Sequence, residues 1–335
     1  MISLRSFYPQ GEAVVSLERQ LQNERMTHAL LICGEPGIGK WTLSQAVAAY
    51  LLCEDGGSGR PCGKCRSCIQ LEQLEHPDLI ILEKDRPLTV SESKTVIPVS
   101  DIEEMIRRIN RKGFQSDRHV VIIRHAEDMK AEAQNKLLKT LENPPDQTYF
   151  LLTCIKTDLI LSTVLSRCRV LNLHPWGKEA VLRILEEHGI TGSLAEKSAA
   201  ASGGSPGRAL QIAGDDSYWL FRREVCEDFF DVSSRSRILS VSNKWKDRKG
   251  ETEMLFSVLE NILHDMMHRS FQQDSLSLAD DNIPDRWRDF TQRAGAEEYS
   301  RLFDGIQLAR KRIAANVNFQ AVIEQLLLIF MEAVV

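Results

Sequence analysis

Apolar and polar residues alternate along the first half of the chain in a way that predicts strands and helices in turn. Ala29-Leu30-Leu31-Ile32-Cys33 reads as a buried strand, followed by a glycine-rich turn and a helix from about Lys40 to Leu52. Leu79 to Leu82 is a second short apolar run, and Ile102, Met105, Ile106 and Ile109 recur at helical spacing. Val120 to Ile123 and Tyr149 to Thr153 predict two more strands, separated by a helix carrying Ala133, Leu137, Leu138 and Leu141. Such alternation implies a parallel sheet covered on both faces. After His174-Pro175-Trp176-Gly177 only helical spacing remains. Residues 178–213 read as a short helical segment broken at Ser202-Gly203-Gly204-Ser205-Pro206-Gly207, and a helical bundle follows, with a polar stretch expected to be mobile around Gln272 to Asp285. No fixed-period repeat interrupts this order. The expected organisation is an α/β P-loop domain over 1–175, a small helical lid domain over 176–214 and an all-α C-terminal domain over 215–335.

Composition adds limits. A chain of 335 residues exceeds what one hydrophobic core usually supports. Net charge is −5 and the isoelectric point about 6.0, so a strong overall basic field for nucleic acid is excluded, and a local basic patch is not. The first residues lack the apolar core of a signal peptide, and the Leu326–Met331 run is too short to cross a bilayer, so a cytoplasmic protein without membrane contact is expected. Thiols stay reduced in that compartment, and the eight cysteines then need a reading other than disulfides.

Gly34-Glu35-Pro36-Gly37-Ile38-Gly39-Lys40 lies between a strand and a helix, the context a phosphate-binding loop requires. Gly34, Gly37 and Gly39 would let backbone N–H groups converge on the phosphates of ATP or ADP at a helix N-terminus, with Lys40 reaching the outer ones. A tight turn without ligand is the plainer alternative. The next residue should be Ser or Thr to help hold Mg²⁺; it is Trp41, and Thr42 points about 100° further round the helix. The strand that should end in a metal-binding Asp ends instead in Arg124-His125. Like charges 4 Å apart cost roughly 4 kcal/mol at an effective dielectric near 20, so Arg124 disfavours Mg²⁺. Glu127 and Asp128 follow as a helix N-terminal charge pair. Hydrolysis of ATP by this chain alone is not expected.

Cys53, Cys62, Cys65 and Cys68 are spaced C-x8-C-x2-C-x2-C, which suits a closed tetrahedral zinc site, with Gly56, Gly57, Gly59 and Gly63 supplying turns. An iron–sulfur cluster or unliganded thiols are the alternatives. Cys33, Cys154, Cys168 and Cys226 read as buried structural thiols.

Several segments together resemble the bacterial clamp-loader subunits of DNA polymerase III, a branch of the AAA+ family. They are the P-loop, the four-cysteine excursion, His76-Pro77-Asp78, the run Ala133-Gln134-Asn135-Lys136-Leu137-Leu138-Lys139-Thr140-Leu141-Glu142-Asn143-Pro144-Pro145, and Leu165-Ser166-Arg167-Cys168. The match covers about residues 20–210. The family contains motor subunits, gamma and tau, with an intact ATPase site, and a non-hydrolysing kind whose own site is degraded; Trp41, Arg124 and His125 resemble the second. The resemblance implies that Arg167 reaches into a neighbouring motor subunit's ATP site, where a guanidinium delivered in trans is worth about 10³–10⁵ in rate in well-studied NTPases. It implies that Arg208 matches a second nucleotide sensor and Thr153 a first, with ordinary structural roles as their alternatives. The implied partners are gamma/tau and delta subunits, a sliding clamp and the backbone of primer–template DNA, and the C-terminal bundle would join a collar. A motor ATPase of the same family and a zinc-stabilised scaffold outside replication are the rival readings. Basic clusters at Arg107, Arg108, Arg111 and Lys112, at Lys244, Lys246, Arg248 and Lys249, and at Arg310, Lys311 and Arg312 read as solvated faces or backbone and subunit contacts.

Overall fold

The computed structural model describes residues 3–334 except 56, 58, 90–94 and 273–282. It divides into two compact units, 1–177 and 178–335. Gly56 and most of the stretch expected to be mobile lie outside the described residues.

The first unit begins with a 3-10 turn at Leu4–Gln10 and helix α1 (Glu12–Gln22), then alternates β1 (Ala29–Cys33), α2 (Lys40–Leu52), α3 (Arg66–Glu72), β2 (Leu79–Leu82), α4 (Val99–Ile109), β3 (His119–Ile123), α5 (Ala131–Glu142), β4 (Thr148–Cys154), the single turn α6 (Ser162–Leu165) and β5 (Arg169–Asn172). The strands form one sheet in the order β2-β3-β4-β1-β5, and every pairing is parallel. β1 and β3 are buried at every position. Unbroken apolar runs are what a parallel sheet with both faces covered demands. This is the P-loop α/β architecture expected from the alternation of runs.

β5 and α1 are among the elements that escaped the pattern. β5 has alternating exposure with only Leu171 buried, so it offers no apolar run. Helix α1 buries Val14, Leu17, Glu18 and Leu21 on one face. The Gln10 side chain joins the N-terminal turn to the end of the unit: its Nε2 donates to the His174 carbonyl at 2.8 Å, and the His174 N–H donates to its Oε1 at 2.7 Å.

The second unit is helical: α7 (Lys178–Glu187), α8 (Gly192–Ala201), α9 (Pro206–Ala213), α10 (Asp216–Val225), α11 (Arg235–Trp245), α12 (Thr252–Gln272), α13 (Asp285–Arg293), α14 (Ala296–Ala314) and α15 (Phe319–Ala333). A π-helical turn at Cys226–Phe230 carries Phe229 and Phe230 into its core. Phe229 meets Trp245 edge-on at 5.6 Å between centroids, and Phe230 meets Trp287 at 4.8 Å. Aromatic pairs of this geometry add about 0.5–1.5 kcal/mol beyond area burial.

Candidate functional site

The glycine loop leaves the carboxyl end of β1, a central strand flanked by β4 and β5. In open α/β sheets ligands bind beyond the carboxyl ends of strands. Gly34, Gly37 and Gly39 have φ of 153°, 73° and 105°, all on the positive side that L side chains avoid. At Gly34 a Cβ would meet the Leu173 carbonyl oxygen at 2.9 Å, and at Gly39 it would meet the Phe7 ring at 3.0 Å. Trp176 braces the loop from outside, donating from Nε1 to the Ile38 carbonyl at 2.9 Å. Lys40 is buried and turned back into the loop, with Nζ donating to the carbonyls of Gly34 at 2.5 Å and Glu35 at 2.9 Å. Burial holds its pKa below the usual lysine value, and the negative charge of Glu127 opposes that shift.

The position next to Lys40 carries a different chemistry from a magnesium site. The guanidinium of Arg124, just past β3, stacks on the Trp41 ring at 4.5 Å from its centroid, a cation–π contact, and is also ion-paired with Glu83. Thr42 lines a separate cleft with Gln45, Ala49, Leu71, Leu79 and Ile122. His125 follows with a left-handed φ of 51°, and its N–H donates to Thr153 Oγ1 at 3.1 Å. Thr153 thus ties the exits of β3 and β4. Glu127 Oε1 accepts from the Ile155 N–H at 3.1 Å, and Asp128 pairs with Lys84 at 3.3 Å. Both carboxylates sit in the 3-10 turn Ala126–Asp128.

The four cysteines of the excursion come together with their sulfurs all within 4.8 Å of one another. Cys62 and Cys68 Sγ are 4.0 Å apart. A tetrahedron with Zn–S of about 2.3 Å has edges of about 3.8 Å, so the set fits one ion with no open position. Each knuckle is held by the backbone: the N–H groups of Cys62, Cys65 and Cys68 point at the sulfurs of Cys53, Cys62 and Cys65, each at 3.4 Å. N–H bonds from Lys64 and Cys65 lower the Cys62 thiol to about 7, whereas burial raises Cys53 and Cys68. The ligand set can hold a metal such as zinc. Cys33 and Cys154 are register partners on β1 and β4 with sulfurs 2.8 Å apart, a pairing their separation in sequence concealed. Cys226 is buried and Cys168 half-buried, with burial raising the latter's pKa to about 11.

The pattern of the family described as DNA polymerase III, delta subunit, matches residues 9–177, half of the chain. The chain belongs to this family. It is 26% identical over 324 residues to DNA polymerase III subunit delta' of Bacillus subtilis (strain 168), covering 94% of each chain. It is 32% identical over 207 residues to subunit delta' of Escherichia coli (strain K12), covering 62% of this chain and 60% of that one. The match to subunit tau of the same E. coli strain is 30% over 177 residues, covering 53% of this chain and 26% of the relative.

The family segment ending Ser166-Arg167-Cys168 lies between α6 and β5. Arg167 is one-third exposed; it is ion-paired with Glu142 and donates from Nη1 to the Thr163 carbonyl at 2.7 Å. Arg208 lies in the other unit, half-buried in the first turn of α9, whose N-cap Ser205 accepts from its backbone N–H at 3.3 Å. Of the basic clusters, Arg107 and Arg108 share Glu104. Lys244 pairs with Glu224 and Asp228; Arg248 pairs with Glu224 and Glu251 and stacks on Trp245 at 4.2 Å. Arg310 pairs with Glu260 and Glu253. These five members of the clusters are ion-paired.

Sequence reasoning missed the carboxylates that position the cations, Glu83 and Glu142, because nothing nearby in the chain marks them. It also missed the role of Asp78, whose buried carboxylate accepts from the N–H groups of Phe114, Gln115 and Ser116 at 2.6–2.8 Å. No described helix is long and apolar enough to cross a membrane.

Proposed function

We propose that the chain is a non-hydrolysing, stator subunit of the DNA polymerase III clamp loader and supplies Arg167 in trans to the ATP site of a neighbouring gamma/tau motor subunit. The observation that carries this reading is the contact of Arg124 with Trp41. Two residues that should ligate Mg²⁺ are replaced by an aromatic ring and a guanidinium that satisfy each other, so the loop lacks the means to neutralise a γ-phosphate in flight. ATP or ADP would have to draw Lys40 off the Gly34 and Glu35 carbonyls; the stator role does not depend on that binding, and Thr42 and Arg208 then have no catalytic duty here.

In this reading residues 1–175 form the AAA+ domain with its zinc-binding loop at 53–68, 176–214 a lid and 215–335 a collar that joins the subunits. Zn²⁺ bound by Cys53, Cys62, Cys65 and Cys68 stiffens the excursion. The other partners are the delta subunit, the sliding clamp during loading, and the backbone of primed DNA, all in the cytoplasm. The motor-subunit alternative requires magnesium at the position occupied by Trp41 and Arg124, and no observation favours it.

The test is clamp- and DNA-stimulated ATP hydrolysis by a reconstituted loader containing this chain or its Arg167→Ala variant, with zinc content and assembly matched. A fall of about tenfold or more is expected, a threshold set well below the roughly 10³–10⁵ that trans-acting arginines contribute in well-studied NTPases. Unchanged turnover in an intact complex would remove the assigned mechanism.

A further inference from the structure

Arg167 is held by its own subunit. Nη2 is ion-paired with Glu142, and Nη1 donates to the Thr163 carbonyl at 2.7 Å and Ser166 Oγ at 3.2 Å. Three features of this arrangement are unlike a purely structural arginine. Glu142 is the last residue of α5, where the helix carbonyls already carry partial negative charge and a carboxylate is disfavoured. Helix stability therefore does not explain its presence. Both side chains are partly exposed, 31% for Arg167 and 45% for Glu142, so water reaches and screens the pair and its making or breaking shifts an equilibrium by only about 1.5- to 5-fold. Meanwhile Arg167 Nε is buried with no hydrogen-bond partner among the described residues. Buried donors are ordinarily satisfied; this pose leaves one unspent.

We propose that Glu142 is a positioning residue that keeps Arg167 withdrawn and releases it to the phosphates of a nucleotide presented by the neighbouring subunit. The proposal rests on Arg167 acting in trans, as argued above. No bond is made or broken; one anion replaces another on the same N–H donors. Phosphate oxygens match the planar guanidinium fork in two parallel bonds, and they do so in a site closed to water, where charge-assisted bonds are stronger than at an exposed surface. A screened single carboxylate loses that competition once nucleotide is in place and wins it when the neighbouring site is empty. Glu142 is thus suited to suppress turnover before the clamp and DNA have closed the site.

The test uses the full reconstituted loader with Glu142→Gln, Arg167→Ala and the double variant, at equal zinc content and assembly. ATP hydrolysis is measured with and without clamp and primed DNA. Glu142→Gln, which keeps the side-chain shape and removes the charge, is expected to raise unstimulated turnover by about 1.5- to 5-fold, and this gain should vanish when Arg167 is already alanine. Unchanged or lowered unstimulated turnover in Glu142→Gln, or a gain of the same size in both backgrounds, overturns the withdrawn-arginine proposal and leaves the stator reading in place. An Arg167→Ala loader that hydrolyses ATP like the parent overturns both.

Discussion

Gly34 shows what the glycine loop requires of a single residue. Its φ of 153° strains any L side chain, and the nearest obstacle to a Cβ is a backbone oxygen, that of Leu173, at 2.9 Å. A side chain could rotate away; this carbonyl cannot easily move, because Leu173 follows β5 directly and its N–H donates to the Cys33 carbonyl at 2.8 Å. Gly34→Ala is therefore expected to destabilise the protein by about 1–3 kcal/mol, the usual range for a backbone forced into a sparsely populated region. Urea denaturation would check it, and a change below about 0.5 kcal/mol would mean that the loop relaxes freely. Lys40, Trp41 and Arg124 were each legible by residue type. That Trp41 and Arg124 touch was not, since a missing metal ligand says nothing about what fills its place.

At the scale of elements, the excursion between α2 and α3 depends on its cysteines. Cys53 is the C-cap of α2, and Cys65 is the N-cap of α3, its sulfur accepting from the Cys68 N–H. α3 has seven residues, too few to be stable alone in water. A metal bound by the four sulfurs would tie both helix ends together and contribute directly to folding. One zinc per chain is expected by elemental analysis of the purified protein. Stripping it with a chelator, or Cys65→Ser, should lower the melting temperature by several degrees, with zinc restoring it in the parent only. Iron in place of zinc, or a melting temperature indifferent to chelation, would contradict this. The site was readable in advance because all its ligands lie within one short segment. β5 was not, because an edge strand with one buried residue has no pattern apart from the β1 it pairs with.

For the whole molecule, the two units have separate cores. The sheet core runs from Ala29 to Val164, and the helical core from Ala201 to Phe330. The helical core is rich in aromatic residues, with Trp245, Trp287, Phe229, Phe230 and Phe330 all buried, and α14 and α15 approach closely enough that a Cβ on Gly305 would meet Ile329 at 3.1 Å. A stretch with its own buried core and most of its contacts internal has what a domain needs to fold alone. Residues 178–335 expressed by themselves should give a helical circular dichroism spectrum and one cooperative urea transition. A broad, non-cooperative transition would show that this core depends on the first unit.

Residue type and spacing were enough to fix the α/β and helical halves, the glycine loop, the cysteine cluster and the lack of the usual magnesium-ligating residue types at positions 41 and 124. Each is written in residue type and spacing over a few turns of chain, and periodicity and local spacing carry such information directly. Tertiary structure alone decided the strand order β2-β3-β4-β1-β5, the stacking of Arg124 on Trp41, the Asp78 carboxylate beneath residues 114–116 and the Glu142 contact that folds Arg167 back. These partners lie far apart in the chain and meet because the parallel sheet sets strand ends side by side. Trp41 and Arg124 lie past the carboxyl ends of β1 and β3, and Asp78 and Arg167 ahead of the amino ends of β2 and β5. A charge that binds a distant charge leaves no periodic trace, so its partner becomes visible only when the path of the backbone is known.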